Sequence, residues 1–409
     1  MNSGRRNLVL SAVTLVTALG VFLWLRPDPV PPIRIGVLHS LSGTMAASER
    51  PLVDAVRLAV EEINAAGGVL GRPVEMVVAD GRSDEGVYVA EAERLIVSDQ
   101  VSALFACWTS ACRKAVMPVV EKHRHLMFYP LQYEGLEQSH ALYYTGSVPN
   151  QQIIPGTHWA LDALGRRVYL LGSEYLFPRA ANRIIRDLVK NDGGIVLAER
   201  YRPLGDADFD AVIAEIRALK PDVVLNTING DSNTHFFRAL HTAGLGAIPV
   251  VSFSVAEDGL QAIGTEAFHP NHYAVWSYFQ SIPGEANRRF VAAFQQRYGS
   301  DRVTSDPVEA AYVGVRLWAQ AVRDAGTADP EQVNRAMLLQ SMAAPSGIAA
   351  VDRATRHLWK SVRIGKARVD GQFDLLWSSG NALRPDPYPD YRSRFEWAQL
   401  VADLSAATP

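Results

Sequence analysis

Residues 103–112 read Ala-Leu-Phe-Ala-Cys-Trp-Thr-Ser-Ala-Cys, and residues 125–135 read His-Leu-Met-Phe-Tyr-Pro-Leu-Gln-Tyr-Glu-Gly. The apolar run from Val101 to Cys107 has the length and make-up of a buried strand. Trp108-Thr109-Ser110 interrupts it, and Thr109 or Ser110 can cap a helix with apolar positions at Ala111, Ala115, Val116, Val119 and Val120. A second strand, residues 126–129, stops at Pro130 and runs into Gln132, Tyr133 and Glu134. Two consecutive strands thus end in polar and aromatic residues. In open parallel sheets the carboxyl ends of the strands are where ligands bind, so this stretch holds the first candidate pocket.

The same alternation extends in both directions. A strand at 33–38 precedes a helix with Leu52, Val56, Ala59 or Val60, and Ile63 on one face, ended by Gly67-Gly68. A strand at 74–79 and a helix at about 87–98 follow, and a short strand at 142–146 closes the set. Pro149-Asn-Gln-Gln152 breaks the pattern, which then restarts with helices at 153–164, 180–190, 209–219 and 234–243. These alternate with strands at 168–171, 195–201, 222–228 and 248–253. The spacing predicts an α/β chain of two Rossmann-like lobes, each a mostly parallel sheet with helices on both faces, joined by three crossovers. Lobe 1 is expected over 33–148 plus 280–355 and lobe 2 over 149–279 plus 356–380, the latter ending in a hairpin turned at Val369-Asp370-Gly371. Residues 381–409, rich in Pro, Asp and Tyr, are expected as a C-terminal tail of ordered coil.

Arg5 and Arg6 precede an almost unbroken apolar run from Leu8 to Leu25, followed by a Pro-rich linker to residue 32. A signal peptide has this layout, but the run exceeds the usual ~7–15-residue signal core and approaches the ~20 residues of a membrane span. No small-x-small site follows it. Residues 1–32 are therefore expected to be a signal or, by preference, an uncleaved anchor, with the bulk of the chain on the periplasmic or extracytoplasmic face of the inner membrane.

Composition narrows the function. In 409 residues, 48% hydrophobic and 20% charged, the net charge is −3 without a basic block, so nucleic acid is not an expected partner. Two cysteines exclude a disulfide scaffold. Cys107 and Cys112 are close enough to bond, yet the burial habit of cysteine favours two free thiols. The loops after the strands hold hydroxyls, amides, aromatics and one or two carboxylates. They contain no nucleophile elbow, phosphate-binding glycine loop or metal-spaced histidines. No catalytic residue, metal or cofactor is expected; the equipment is for hydrogen bonding.

The motifs also carry a resemblance. Cys107-Trp-Thr-Ser110, Arg113-Lys-Ala-Val116 and Phe128-Tyr-Pro-Leu-Gln-Tyr-Glu-Gly135 are similar to the periplasmic urea-binding proteins of ABC transporters. These lie within the wider family of branched-chain amino acid and short-chain amide receptors, the type I periplasmic binding proteins. The likeness continues through Pro149-Asn-Gln-Gln152, Asn226-Thr-Ile-Asn-Gly-Asp-Ser-Asn233, Trp276-Ser-Tyr-Phe-Gln-Ser281, Asp306-Pro-Val-Glu-Ala-Ala-Tyr312 and Pro385-Asp-Pro-Tyr-Pro389. It implies a receptor that captures urea or a short-chain amide between its lobes and delivers it to ABC permease subunits. A membrane-anchored sensor working through a partner protein is the alternative. The ligand site is expected at Trp108, Ser110, Tyr129, Gln132, Tyr175 and Asp231. The serine hydroxyl suits a carbonyl oxygen, Gln132 and Asp231 offer acceptors for N–H, and the aromatics offer flat walls. The Gln132 and Asp231 motifs match the urea branch.

Overall fold

The computed structural model describes residues 30–406. The expected anchor at 8–25 lies outside them, and among the described residues no helix is long and apolar enough to cross a membrane.

Five parallel strands form the first sheet: β1 (Ile33–His39), β2 (Val74–Asp80), β3 (Leu104–Ala106), β4 (Met127–Tyr129) and β5 (Leu142–Tyr144), in the order β2-β1-β3-β4-β5. Helices α1 (Ala46–Ala65), α2 (Glu85–Val97) and α3 (Ser110–Lys122) connect them. β3, β4 and β5 are apolar and buried throughout, as sheets covered on both faces require.

After a single 3-10 turn, Pro149–Gln151, the chain enters the second sheet. Its parallel part comprises β6 (Arg167–Ser173), β7 (Ile195–Arg202), β8 (Val223–Thr227), β9 (Val250–Ser252) and β10 (His272–Trp276). Helices α4 (Ile153–Ala163), α5 (Leu176–Asn191), α6 (Asp210–Leu219), α7 (Ser232–Thr242) and α8 (Glu257–Ile263) lie between or beside them. The chain then returns to pack α9 (Glu285–Tyr298) and α10 (Asp306–Ala325) against α1, followed by α11 (Pro330–Met337). Strands β14 (Arg363–Ala367) and β15 (Phe373–Ser378) add an antiparallel hairpin to the second sheet, giving β15-β14-β10-β9-β8-β6-β7. The hairpin turns where Gly371 takes a φ of 78°, a conformation glycine adopts at no steric cost.

The chain thus passes between the two sheets three times, near residues 145–148, 277–284 and 360–362. The crossings are tied together. Ser147 Oγ meets Ser277 Oγ at 2.8 Å, and Lys360 Nζ donates to the Thr145 carbonyl at 2.8 Å. Asp306, the first residue of α10, accepts the backbone N–H groups of Ser277 and Tyr278 at 3.0 and 2.9 Å. A Cβ on Gly146 would stand 1.9 Å from the Leu131 carbonyl oxygen, so the first crossing runs directly against the loop that carries Gln132.

Two parts differ from the expectation. Residues 341–359 form a small antiparallel sheet of β11 (Ser341–Ala344), β12 (Gly347–Val351) and β13 (Leu358–Trp359), so the third crossing comes after residue 359. The C-terminal tail is not all coil: α12 (Arg394–Ala406) docks on α5 through buried Trp397, whose indole N–H donates to the Pro389 carbonyl at 2.8 Å.

Candidate functional site

The site is built around the turn between β3 and α3. Cys107 leaves the strand at φ 70°, a left-handed conformation that reverses the chain sharply. Thr109 caps α3, its Oγ1 accepting from the Cys112 N–H at 3.1 Å. Cys107 and Cys112 are disulfide-bonded, with Cα atoms 5.7 Å apart. This corrects the expectation of free thiols: the reversal at Cys107 brings the strand end and the first helical turn within bonding range, which sequence spacing alone does not reveal.

Arg113 is fully buried on the inner stripe of α3 with Val116 and Val120. Its guanidinium donates through Nη2 to Glu134 at 2.8 Å, through Nε to Glu137 at 2.9 Å and through Nη1 to Ser110 Oγ at 3.1 Å. It also stacks over the rings of Tyr133 and Tyr129, 4.3 and 4.8 Å from their centroids. Glu137 further accepts from Lys114 at 2.7 Å and from the Tyr144 hydroxyl at 2.8 Å. Burial opposes ionisation of Arg113 and Glu137, but opposite charge wins. Glu137 is held down at about 2 by Arg113 and Lys114, while Arg113 is raised by Glu137 and Glu134.

Three expected site residues belong to this cluster. Ser110 donates its hydroxyl hydrogen to Glu134 at 2.6 Å, so that hydrogen is committed rather than offered to a ligand carbonyl. Tyr129 donates to the Trp108 backbone carbonyl at 2.6 Å, leaving its oxygen lone pairs. Tyr175 comes from the opposite sheet, at the N-cap position of α5. Burial first, then Tyr129 and Glu134, raise its phenol.

The other three lie where the two sheets' loops meet. Trp108 Nε1–H donates to Asn229 Oδ1 at 3.3 Å across the cleft. Gln132 also crosses, its Nε2 donating to the Phe253 carbonyl at 3.0 Å. Gln152 donates to the same carbonyl at 3.1 Å and to that of Val275 at 2.7 Å. The Oε1 atoms of Gln132 and Gln152 are both buried without a hydrogen-bond partner. Asp231 stands apart from the Arg113 cluster: it is exposed, in the N-cap position of α7, and makes no capping bond. It lines, with Trp108, Asn233, Ser254, Asp258 and Ser48, a cleft of about 60 Å³.

Arg113, Glu134, Gln152 and Asn229 were not among the expected site residues. Arg113 had a signal: it falls in register with Val116 and Val120, so a charge occupies the core stripe of a helix. Among the described residues no group of acidic, histidine and cysteine side chains could hold a metal ion.

Comparison with known proteins places this geometry. Residues 33–394 match the model of a family described as periplasmic binding protein domain. The chain is 26% identical over 262 residues to the Leu/Ile/Val-binding protein BraC3 of Rhizobium johnstonii, covering 62% of this chain and 70% of that protein. A shorter match, 34% identical over 116 residues, is to a protein named limonene hydroxylase from Geobacillus stearothermophilus; it covers 28% of this chain and only 21% of that protein's length. The fold is shared with the solute binding protein of an ABC transporter from Rhodopseudomonas palustris BisB5, solved with 3,4-dihydroxy benzoic acid. Its TM-score is 0.78 at 21% identity, over 88% of this chain and 99% of that one. With the family model matched over most of its length and two α/β lobes enclosing a cleft, the chain belongs to the periplasmic binding protein domain family.

Proposed function

We propose that this chain is an extracytoplasmic solute-binding protein that closes its lobes on urea or a similarly small amide and delivers it to an ABC permease. The observation that carries the ligand class is the buried, unpaired Oε1 of Gln132. A buried acceptor without a partner costs about 1–3 kcal/mol, and an N–H-rich ligand removes that cost. Gln132 Nε2 is anchored by Phe253, so the amide cannot flip to present its donor instead. Size points the same way. The cleft lined by Asp231 and Trp108, beside the Gln132 junction, measures about 60 Å³, far below the ~300–1,000 Å³ of sites for drug-sized ligands. Leucine and hydroxybenzoates are too large for it without opening the lobes.

Urea supplies four heavy atoms. At no more than about 1.5 kcal/mol each, direct contacts give roughly 6 kcal/mol, tens of micromolar. Every N–H must therefore find an acceptor, and we assign that role to Gln132 from the first lobe and Asp231 from the second. With the third crossing after residue 359, 33–148 plus 280–359 and 149–279 plus 360–380 is our assignment of those lobes. An anchor at residues 8–25 belongs to the same proposal, and favours a second reading as a sensor for the same ligand. Calorimetry of the full chain against urea, acetamide, formamide and leucine tests the ligand class. Urea is expected to bind, leucine not, and Gln132→Met to weaken urea at least tenfold. Binding of leucine with none of urea rejects the reading.

A further inference from the structure

A cavity of about 350 Å³ opens on the first lobe where Arg124 and His125 precede β4 and His140 precedes β5, with α11 as its other wall. These are the amino-terminal ends of the strands, the opposite end of the sheet from the interlobe cleft, with which it shares no lining residue. The lining is polar throughout. It carries three guanidiniums, Arg124, Arg335 and Arg356, against one carboxylate, Glu331. Glu331 stands 3.6 Å from Arg124 where both side chains are exposed, and such a surface pair is worth little. Arg335 is exposed on α11 and makes no ion pair or hydrogen bond among the described residues.

Arg356 is held in place by neutral groups alone. Its Nη1 donates to the Tyr143 hydroxyl at 2.7 Å and to Asn334 Oδ1, and its guanidinium lies 5.2 Å from the centre of the Tyr143 ring. Tyr143 passes its own hydrogen to the Asn334 carbonyl at 2.7 Å, and Asn334 Nδ2 donates to the His140 carbonyl at 2.9 Å, so strand end, helix and guanidinium form one fixed wall. Arg356 Nε and Nη2 are left unpaired and accessible, on a side chain that lines the cavity. A guanidinium with a free edge is a fork for two oxygens of one oxyanion. Charge bounds the ligand further, because three guanidiniums against one carboxylate leave two positive charges uncompensated. A phosphate monoester brings about −1.5 to −2 at pH 7, whereas a carboxylate or a phosphodiester brings a single charge. The volume lies within the ~300–1,000 Å³ of small-molecule sites, which leaves room for a polar body beside Asn334 and His140.

We infer that this cavity is a second ligand site, separate from the interlobe cleft, for a small soluble phosphate monoester whose phosphate is held between Arg335 and Arg356. The test is calorimetric titration of the full chain with glycerol 3-phosphate, with sodium sulfate at matched ionic strength as the control. The expected result is one saturable site that takes the ester at least tenfold more tightly than sulfate and is weakened at least tenfold in Arg356→Met. Should that variant fail to melt cooperatively, Arg335→Glu, which removes no contact within the described residues, is expected to weaken binding by at least the same factor. Equal affinity for sulfate marks a diffuse cationic surface and overturns the proposal, as does the absence of a saturable response. Unchanged binding of the ester in folded Arg335→Glu overturns it equally. The titration is repeated on the chain in phosphatidylglycerol and in phosphatidylcholine vesicles, and equal binding of the ester is expected in both. Loss of binding in phosphatidylglycerol alone would assign the cavity to a lipid headgroup and overturn the soluble ester.

Discussion

The two walls of the cleft are finished differently. On the first-lobe side, Arg113, Glu134, Glu137, Lys114, Ser110 and Tyr144 form a network in which each charge meets an opposite charge or a donor. Where the lobes meet, Gln132 and Gln152 share the Phe253 carbonyl, Gln152 also reaching that of Val275, and both keep their acceptors unpaired, and Asp231 makes neither a cap nor an ion pair. A satisfied buried network rigidifies its surroundings, whereas an unsatisfied group is a place for something else to bind. On the proposed reading the first wall is scaffold for the pocket, and the junction is where discrimination would reside. That reassigns Ser110: it positions Glu134 and Arg113 more than it serves as a donor to ligand.

The strongest way to break this contrast is to remove the centre of the network. Arg113→Met leaves Glu134 buried without its cation and Glu137 with Lys114 alone, and breaking one partner of a buried pair costs about 3–5 kcal/mol. A large fall in melting temperature is expected, partly restored when Glu134→Gln and Glu137→Gln are added. An unshifted melting curve for Arg113→Met would show that the network is not structural. Acid attacks the same group. Burial raises Glu137, but Arg113 and Lys114 depress it from 4.5 to about 2. A depressed carboxylate contributes stability that is whole above its unfolded value and is lost as pH falls through the folded one. Wild-type stability is thus expected to decline between about pH 4.5 and 2, with a shallower decline in Glu137→Gln.

A smaller effect is expected from the disulfide that pins Trp108. Cys107–Cys112 closes a loop with a sequence separation of 5, and the chain-entropy relation gives about 2 kcal/mol for so short a ring. Cys107→Ser with Cys112→Ser is expected to lower stability by about that amount and to weaken urea binding, because the left-handed turn at Cys107 loses its clamp. Equal denaturation midpoints with and without the bond would assign the turn's geometry to Thr109 capping alone.

Much of this architecture was legible because strands buried on both faces and helices with one apolar stripe write strong periodic signals. The parallel sheets, the three crossings and the hairpin turned at Gly371 come from such signals. The parts that escaped lack them. Helix α12 fully buries only Trp397, and its short stripe of Trp397, Leu400, Val401 and Leu404 follows a Pro-, Asp- and Tyr-rich run that reads as coil. Strands β11 and β12 are short and largely exposed, with Ile348 71% accessible, so alternation is absent. In the site, strand ends located Trp108, Ser110, Tyr129 and Tyr175, yet which atoms remain free depended on partners distant in sequence. Glu134 lies 24 residues from the Ser110 hydroxyl it takes, and Phe253 lies 121 from the Gln132 amide it anchors.

The finest test concerns Asp231, the one expected ligand residue left exposed. Its carboxylate faces a cleft lined from both lobes, next to Trp108, with no competing cap or cation. If it accepts a urea N–H on closure, its removal forfeits a charge-assisted hydrogen bond. Such a bond is worth about 1.5–3 kcal/mol when buried, less at a rim that water still reaches. Asp231→Ala is therefore expected to weaken urea binding about tenfold, or about 1.4 kcal/mol, while leaving the melting temperature of the unliganded chain unchanged. Since Asp231 and Trp108 stand on opposite lobes, the same contact favours the closed state. Solution scattering at matched urea concentration should then show less compaction for Asp231→Ala than for the wild type. Wild-type affinity together with wild-type compaction would remove Asp231 from the site and leave ligand selection to Gln132 and Gln152.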